Sequence, residues 1–291
     1  MNYKKPIIVA EIGCNHMGNL KIAYELIDLA KQSGASYAKF QKRNNIELLT
    51  KDQYNTPHPN PANSYGATYG EHREKLEFDI ETHSKLKKYC ESIKIGYSVS
   101  VWDMTSAKEV VKLNPEYIKI PSALNNHSEL LEFLADNYNG QIHISTGMTL
   151  TDELKNIQKI FSKKNKLDML VIYSCTSGYP IDADEVCLLE ISNLKNIFKE
   201  NISDYAFSGH HKGVAIDIAA YTLGARWIER HFTKDRTWKG TDHAASLEPH
   251  GLYKLIRNLN NTFSALQYKS EEILEIEKPQ RDKLKFRANE S

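Results

Sequence analysis

Residues 96–146 read GYSVSVWDMTSAKEVVKLNPEYIKIPSALNNHSELLEFLADNYNGQIHIST, and their order decides the fold. Three short runs rich in Val, Ile and Tyr, near 96–101, 116–121 and 141–146, have the length and composition of buried strands. Between them, 103–113 and 127–138 carry helical patterns; Leu130, Leu131 and Leu134 share one face, and Ser128 stands where an N-cap is expected. The alternation continues outward. Strands are expected near 6–11, 36–41, 168–174, 203–208 and 226–231, and helices near 19–33, 79–94, 151–163, 183–200, 212–224 and 249–267. Eight strands each followed by a helix predict a single α/β domain, a (β/α)8 TIM barrel. A doubly wound open sheet is the runner-up, but no strand leads into a G-x-G-x-x-G turn.

Two stretches break the regularity. Residues 42–78 form a long connection after the second strand, rich in Asn, Pro, His, Tyr and Gly, and 233–249 form another after the last. Connections this long in compact domains are functional or disordered. The barrel is expected over residues 1–268, with 269–291 as a charged surface extension.

Composition narrows the function. The 38 basic and 37 acidic side chains of the 291 residues leave a net charge of +1, which removes the electrostatic case for nucleic acid or an anionic membrane as partner. Cys14, Cys90, Cys175 and Cys187 form neither a C-x-x-C pair nor a zinc spacing, and read as free thiols. With no signal peptide and no apolar run long enough to span a bilayer, a cytoplasmic protein is expected.

In a barrel of this kind the chemistry sits at the C-terminal ends of the strands. Those ends carry Glu11; Lys39 and Gln41; Ser98 and Ser100; Lys119 and Ser122; Ser145 and Thr146; Cys175 and Thr176; Ser208 and His210; Glu229 and His231. Every end bears a polar or ionisable group directly after an apolar run, which solvation alone does not explain. Lys39 and Lys119 lie between apolar neighbours inside strands, so they point into the barrel or incur a large cost. They are either buried ion-pair partners of Glu11 or Glu229, or two ammonium groups of an anion cradle with Ser100, Ser122, Ser145 and Ser208. His210 and His231 end adjacent strands and suit a shared divalent cation, with Glu11, Glu229 or Asp242 completing or ordering its shell; Mn, Mg, Co and Zn all fit such ligands.

These residues resemble the motifs of the sialic acid synthase family. Residues 10–18 read AEIGCNHMG; Lys39-Phe40-Gln41 is similar to that family's KxQ, and Tyr117, Lys119, Ile120 and Ser122 to its YxKIxS. Ser145-Thr146-Gly147-Met148, Cys175-Thr176 with Tyr179-Pro180, Glu229-Arg230-His231-Phe232-Thr233 and Gly240-Thr241-Asp242-His243 follow in the family's order. The resemblance implies a barrel enzyme that condenses phosphoenolpyruvate with an N-acylated aminosugar such as N-acetylmannosamine, giving a nine-carbon 3-deoxy-2-keto acid and phosphate. Lys39, Lys119, Ser100, Ser122, Ser145 and Ser208 would hold phosphoenolpyruvate. His210 and His231 would bind Mn or Mg, which would polarise the sugar aldehyde and orient a water. Glu11, then Glu229, is the expected general base, and Gln41, Tyr179 and Asp242 would contact sugar hydroxyls. The implied role is in cell-surface glycan precursor synthesis.

Three departures from the family pattern stand out. Ser208-Gly209-His210-His211 replaces SDH, which makes His211 an extra imidazole. Leu124 stands where many members carry a Glu near the phosphate or metal. A short form is expected, lacking the family's antifreeze-like C-terminal domain, with Tyr65, Tyr69, His72 and Arg73 of the 42–78 connection as a replacement lid. The expected partners are phosphoenolpyruvate and an aminosugar, with a homo-oligomer left open. Two other readings stay open. One is the same chemistry on another aldose, a legionaminic or pseudaminic precursor or a phosphorylated sugar held by Arg43, Arg73, Arg236 or Lys239. The other is a non-catalytic barrel that binds sugar or phosphoenolpyruvate.

Overall fold

A computed structural model describes residues 3–286. Eight parallel strands close into a barrel in sequence order: β1 (Ile7–Gly13), β2 (Tyr37–Lys42), β3 (Gly96–Val101), β4 (Tyr117–Ile120), β5 (Gln141–Ser145), β6 (Leu170–Cys175), β7 (Asp204–Gly209) and β8 (Trp227–His231). Closure comes from β1 pairing with β8, Glu11 opposite His231. The helices are α1 (Leu20–Ser33), α2 (Asn45–Leu48), α3 (Lys51–Asn55), α4 (Tyr69–Leu76), α5 (Ile80–Ser92), α6 (Met104–Leu113), α7 (Ser128–Asn137), α8 (Thr151–Lys163), α9 (Glu190–Phe198), α10 (Ala215–Thr222), α11 (Pro249–Ala265) and α12 (Lys278–Leu284). None of the described helices is long and apolar enough to cross a membrane.

Strand alternation divides the residues between two cores. Ile8, Ala10 and Ile12 of β1, Ala38 and Phe40 of β2, and Ile118 and Ile120 of β4 turn outward and pack with Ala23, Leu26, Ile27 and Ala30 of α1 and the equivalent faces of the other helices. Burying a large apolar side chain there contributes roughly 1.5–3 kcal/mol. The alternate residues turn inward, and the lowest of them, Val9, Tyr117, Val171, Tyr173, Ala206 and Trp227, fill the barrel floor. The floor is packed, so the chemistry is confined to the layers above it.

Two local expectations are corrected. The N-cap of α7 is His127, whose ring accepts from the Leu130 amide at 3.3 Å, and Ser128 is the first helical residue. The expected helix over 183–200 is a 3-10 turn, Ala183–Glu185, followed by α9, because Cys187 between them takes a left-handed backbone (φ 51°) that interrupts the helix. The 42–78 connection contains α2, α3 and α4. Beyond α11 the chain adds a 3-10 turn, Glu275–Glu277, and the exposed α12; residues 1–2 and 287–291 of the expected barrel and extension lie outside the described residues.

Candidate active site

Above the floor, the next inward residues of the strands are charged. Glu11 and Lys39 face each other across β1 and β2, and Ser100 and Lys119 across β3 and β4, while Ser208 is level with Glu229 on β8. Lys39 Nζ lies 2.6 Å from Glu11 Oε2, 3.6 Å from Glu229 Oε1 and 2.9 Å from Ser100 Oγ. Lys119 Nζ lies 3.2 Å from Glu229 Oε2 and 3.2 Å above the centre of the Tyr173 ring. All four ionisable groups are buried, and desolvating them singly would be prohibitive; two ammonium and two carboxylate groups cancel instead.

The cancellation is uneven. Burial works against the charge on Lys39, but Glu11 and Glu229 outweigh it and hold its pKa above the usual value. For Lys119 burial wins: the group has Glu229 beside it but also the repulsion of Lys39, and its pKa falls to about 8. Burial would raise the carboxyl of Glu229, yet the two lysines hold it well below the usual range. Below the lysines, His143 stacks on Tyr117 with ring centres 3.8 Å apart, and burial keeps it neutral.

Two glycines let the polar groups meet. Gly13 sits at a bulge with φ 54°, and a Cβ there would lie 3.0 Å from Gln41 Nε2 and 3.2 Å from Glu11 Oε1. Its absence leaves room for the 2.7 Å hydrogen bond that Gln41 Nε2 donates to Glu11. Gly147 donates its amide to Ser122 Oγ at 3.0 Å, where a Cβ would run into Ser122, Cys175 and Ser177.

All the site residues expected from the sequence line one cavity of about 500 Å³: Glu11, Lys39, Gln41, Ser100, Lys119, Ser122, Ser145, Tyr179, Ser208, His210, Glu229, His231 and Asp242. Both lysines are ion-paired with these carboxylates and also face the cavity. Three of the strand-end residues do not face it. Ser98 donates to the Tyr117 carbonyl, Thr146 to the Tyr173 carbonyl and Thr176 to the Glu185 carbonyl. Leu124 packs against the outer core and is not among the cavity's lining residues, so the site keeps its carboxylates without a Glu there.

At the mouth the rings of His210 and His231 are 5.5 Å apart, and Tyr179, after which the chain takes a cis peptide to Pro180, packs 4.2 Å from His210. His210 Nδ1 donates to the Thr176 carbonyl at 2.7 Å, which leaves Nε2 as a bare lone pair. Burial and the neighbouring His231 push the His210 pKa down to about 4, so it is neutral at pH 7. His231 Nδ1 is buried without a hydrogen-bond partner, 3.7 Å from Asp242 Oδ2. Imidazoles backed by a carbonyl and a carboxylate suit a divalent cation. Among the described residues no three His, Cys, Asp or Glu side chains gather closely enough to enclose an ion, so a cation here would take its other ligands from water and substrate. His211 is no part of this pair. It turns outward and meets Asp217 at 3.3 Å and Arg230 at 3.2 Å.

The 42–78 connection roofs the cavity. His58, Asn60, Tyr69 and Arg73 line it, whereas Tyr65 donates to the Lys239 carbonyl and His72 accepts from the Tyr65 amide within the lid itself. Arg43 and Trp102 also line the cavity. The Arg43 guanidinium stacks 4.1 Å over Trp102, pairs with Glu77 at 3.1 Å and donates to Gln41 Oε1. Trp102, one residue past the end of β3, is aromatic and so falls outside a count of polar and ionisable groups at the strand ends. Of the other basic candidates, Lys239 lies over the Tyr65 ring and Arg236 is held by the Ala244 carbonyl; neither lines the cavity.

Comparison with known proteins places these features. The NeuB family model matches residues 26–271. The chain is 36% identical to N-acetylneuraminate-9-phosphate synthase of Homo sapiens over 95% of this chain and 76% of that one. It is 32% identical to N,N'-diacetyllegionaminic acid synthase of Campylobacter jejuni over 90% and 78%. In structure it is similar to an N-acetylneuraminic acid (sialic acid) synthetase from Leptospira borgpetersenii, with a TM-score of 0.80 and 27% identity over 97% of this chain and 93% of that one.

Proposed function

This chain belongs to the NeuB family, and on that premise we propose that it condenses phosphoenolpyruvate with the open-chain aldehyde of an N-acylated aminosugar to give a sialic-type 3-deoxy-2-keto acid and phosphate. It is an enzyme, a phosphoenolpyruvate-dependent synthase that forms a carbon–carbon bond. The observation that carries the proposal is the buried ring of Glu11, Lys39, Lys119 and Glu229, open on one side to a cavity with two oriented imidazoles at its mouth.

Lys39 and Lys119, with Ser100, Ser122, Ser145 and Ser208, hold the carboxylate and phosphate of phosphoenolpyruvate. An anion entering here competes with Glu11 and Glu229 for the ammonium groups, so binding loosens a carboxylate as it forms its own contacts. His210 and His231 would hold a divalent cation, Mn or Mg, whose chemistry is to polarise the aldehyde oxygen. C3 of phosphoenolpyruvate bonds to the aldehyde carbon, whose oxygen takes up a proton, and C2 is left with oxocarbenium character. Glu11, fixed by Gln41 and Lys39, accepts the proton of the water that adds to C2, with Glu229 as second candidate. The C–O bond to phosphate then breaks and the ketone forms. Gln41, Tyr179 and Asp242 contact the sugar, and the lid excludes bulk water.

The test is phosphate release from phosphoenolpyruvate with Mn present, across N-acetylmannosamine, diacetamido hexoses, mannose and arabinose 5-phosphate. Release with an N-acylated sugar, lost in His231→Ala, supports the reading. Phosphoenolpyruvate binding with no release on any sugar supports a non-catalytic barrel instead. The human and Campylobacter jejuni relatives differ in whether the product in their names carries a phosphate, so the acceptor class rests on this chain's own residues.

A further inference from the structure

We propose that Tyr173, on the barrel floor, is a positioning residue for phosphoenolpyruvate: the face of its ring seats the Lys119 ammonium group where an anion in the cavity meets it. This rests on the condensation reading above, in which Lys119 holds phosphoenolpyruvate. The two cradle lysines are not equivalent. Lys39 Nζ has three polar neighbours, Glu11 at 2.6 Å, Ser100 at 2.9 Å and Glu229 at 3.6 Å, one for each of its protons. Among the described residues Lys119 Nζ hydrogen-bonds one, Glu229 at 3.2 Å, and it rests 3.2 Å from the centre of the Tyr173 ring. A ring face attracts an ammonium group through its quadrupole and needs no aligned N–H to do so. Lys119 therefore keeps donor capacity for substrate, and an anion can engage it without first displacing a hydrogen bond.

The ring is itself held from below. Gln141, at the start of β5, donates its Nε2 to Ser203 Oγ at 2.7 Å, which turns its amide oxygen toward His143 Nε2 at 3.4 Å. That polarity assigns the His143 proton to Nε2 and leaves Nδ1 to accept from the Tyr173 hydroxyl at 2.9 Å. His143 is wedged in turn, stacked on Tyr117 at 3.8 Å and edge-on to Trp227 at 4.6 Å. Both His143 and Tyr173 are fully buried, and neither lines the cavity, so neither touches substrate. Polar groups in a packed floor carry a desolvation cost unless they are hydrogen-bonded, and these two satisfy each other. The hydroxyl is spent on His143, and the face of the ring is left to Lys119.

The test measures phosphoenolpyruvate binding by calorimetry, and both KM values with N-acetylmannosamine as acceptor, in Tyr173→Leu, Tyr173→Phe and Lys119→Met. Tyr173→Leu removes the ring, so the ammonium group loses its support and sinks into the space below. Phosphoenolpyruvate affinity should fall, and its KM rise, by roughly 10- to 30-fold, the range for a desolvated cation on a ring. KM for the acceptor should hold, because Tyr173 lies below the cavity. Tyr173→Phe keeps the face and loses only the bond to His143. Its phosphoenolpyruvate affinity should stay within about threefold of wild type even though its urea midpoint falls. A purely structural role would make affinity follow stability in both variants. Should Tyr173→Leu not fold, Tyr173→Met leaves a smaller void and carries the same expectation. The assignment is overturned if the ring-less variant binds phosphoenolpyruvate as wild type does, or if Tyr173→Phe loses as much as Tyr173→Leu. It is also overturned if KM for the acceptor rises as much as KM for phosphoenolpyruvate. Binding lost in Lys119→Met but kept in Tyr173→Leu removes the seat and leaves the condensation reading standing; binding kept in Lys119→Met removes both the seat and the cradle of that reading.

Discussion

Glu229 stands between Lys39 and Lys119, and the three titrate as a set. The weak member is Lys119, whose pKa burial and Lys39 lower to about 8. As pH rises through that value the free enzyme loses one of its two cradle charges. The phosphoenolpyruvate-dependent kcat/KM is therefore expected to fall above about pH 8. Bound substrate, being anionic, favours the charged lysine, so kcat should hold to higher pH. In Lys119→Arg, which stays charged throughout, the alkaline limb of kcat/KM should disappear. A limb that persists in this variant assigns the titration to another group. Lys119 is legible as an inward-facing lysine from its apolar neighbours alone. Its depressed pKa is not, because it depends first on burial in the closed barrel and then on the balance of Glu229 and Lys39, which arrive from strands far away in sequence.

Between β7, α10 and β8 a second buried charge cluster does structural work. Arg230 Nη1 donates to Asp217 at 2.6 Å and to the Gly213 carbonyl at 2.9 Å, with His211 against both side chains. Asp217→Asn would leave the Arg230 charge buried without its partner. A loss of about 3–5 kcal/mol in urea unfolding is expected, with KM for phosphoenolpyruvate unchanged if the variant is assayed while folded; a change in KM alone would place the cluster in the site. The sequence sets His210 apart as the ligand candidate with His211 as an extra imidazole, and alternation along the chain turns the first toward the cavity and the second toward Asp217 of α10. The same alternation explains why the strands and most helices are readable from sequence while the three short helices inside the 42–78 connection are not. Period-two and period-3.6 patterns report burial against a regular partner. The 42–78 connection instead packs through single contacts, such as Tyr65 to the Lys239 carbonyl and Glu47 to the amides of Met104 and Thr105. Replacing residues 58–67 with a Gly/Ser linker should raise KM for the acceptor far more than KM for phosphoenolpyruvate, because these residues reach the lid side of the cavity and not the lysines. Equal effects on both would contradict a lid that serves the acceptor.

Across the whole molecule the barrel sorts its residues by height, with an aromatic floor, a neutralised ring of charges, and a mouth of imidazoles under a lid. That order makes binding of phosphoenolpyruvate separable from turnover. Removing divalent cations with a chelator is expected to abolish phosphate release while calorimetry still detects phosphoenolpyruvate, and added Mn should restore release; turnover that survives chelation would leave His210 and His231 without their proposed role. The central claim is that this cavity joins three carbons of phosphoenolpyruvate to an aminosugar. The most direct measurement is mass spectrometry of the products from phosphoenolpyruvate labelled with ¹³C at all three carbons, with an N-acylated mannosamine or its 6-phosphate as acceptor. The account predicts that all three labelled carbons appear in a nine-carbon keto acid, one phosphate released for each. Phosphate accompanied by labelled free pyruvate, with the sugar unchanged, would contradict it.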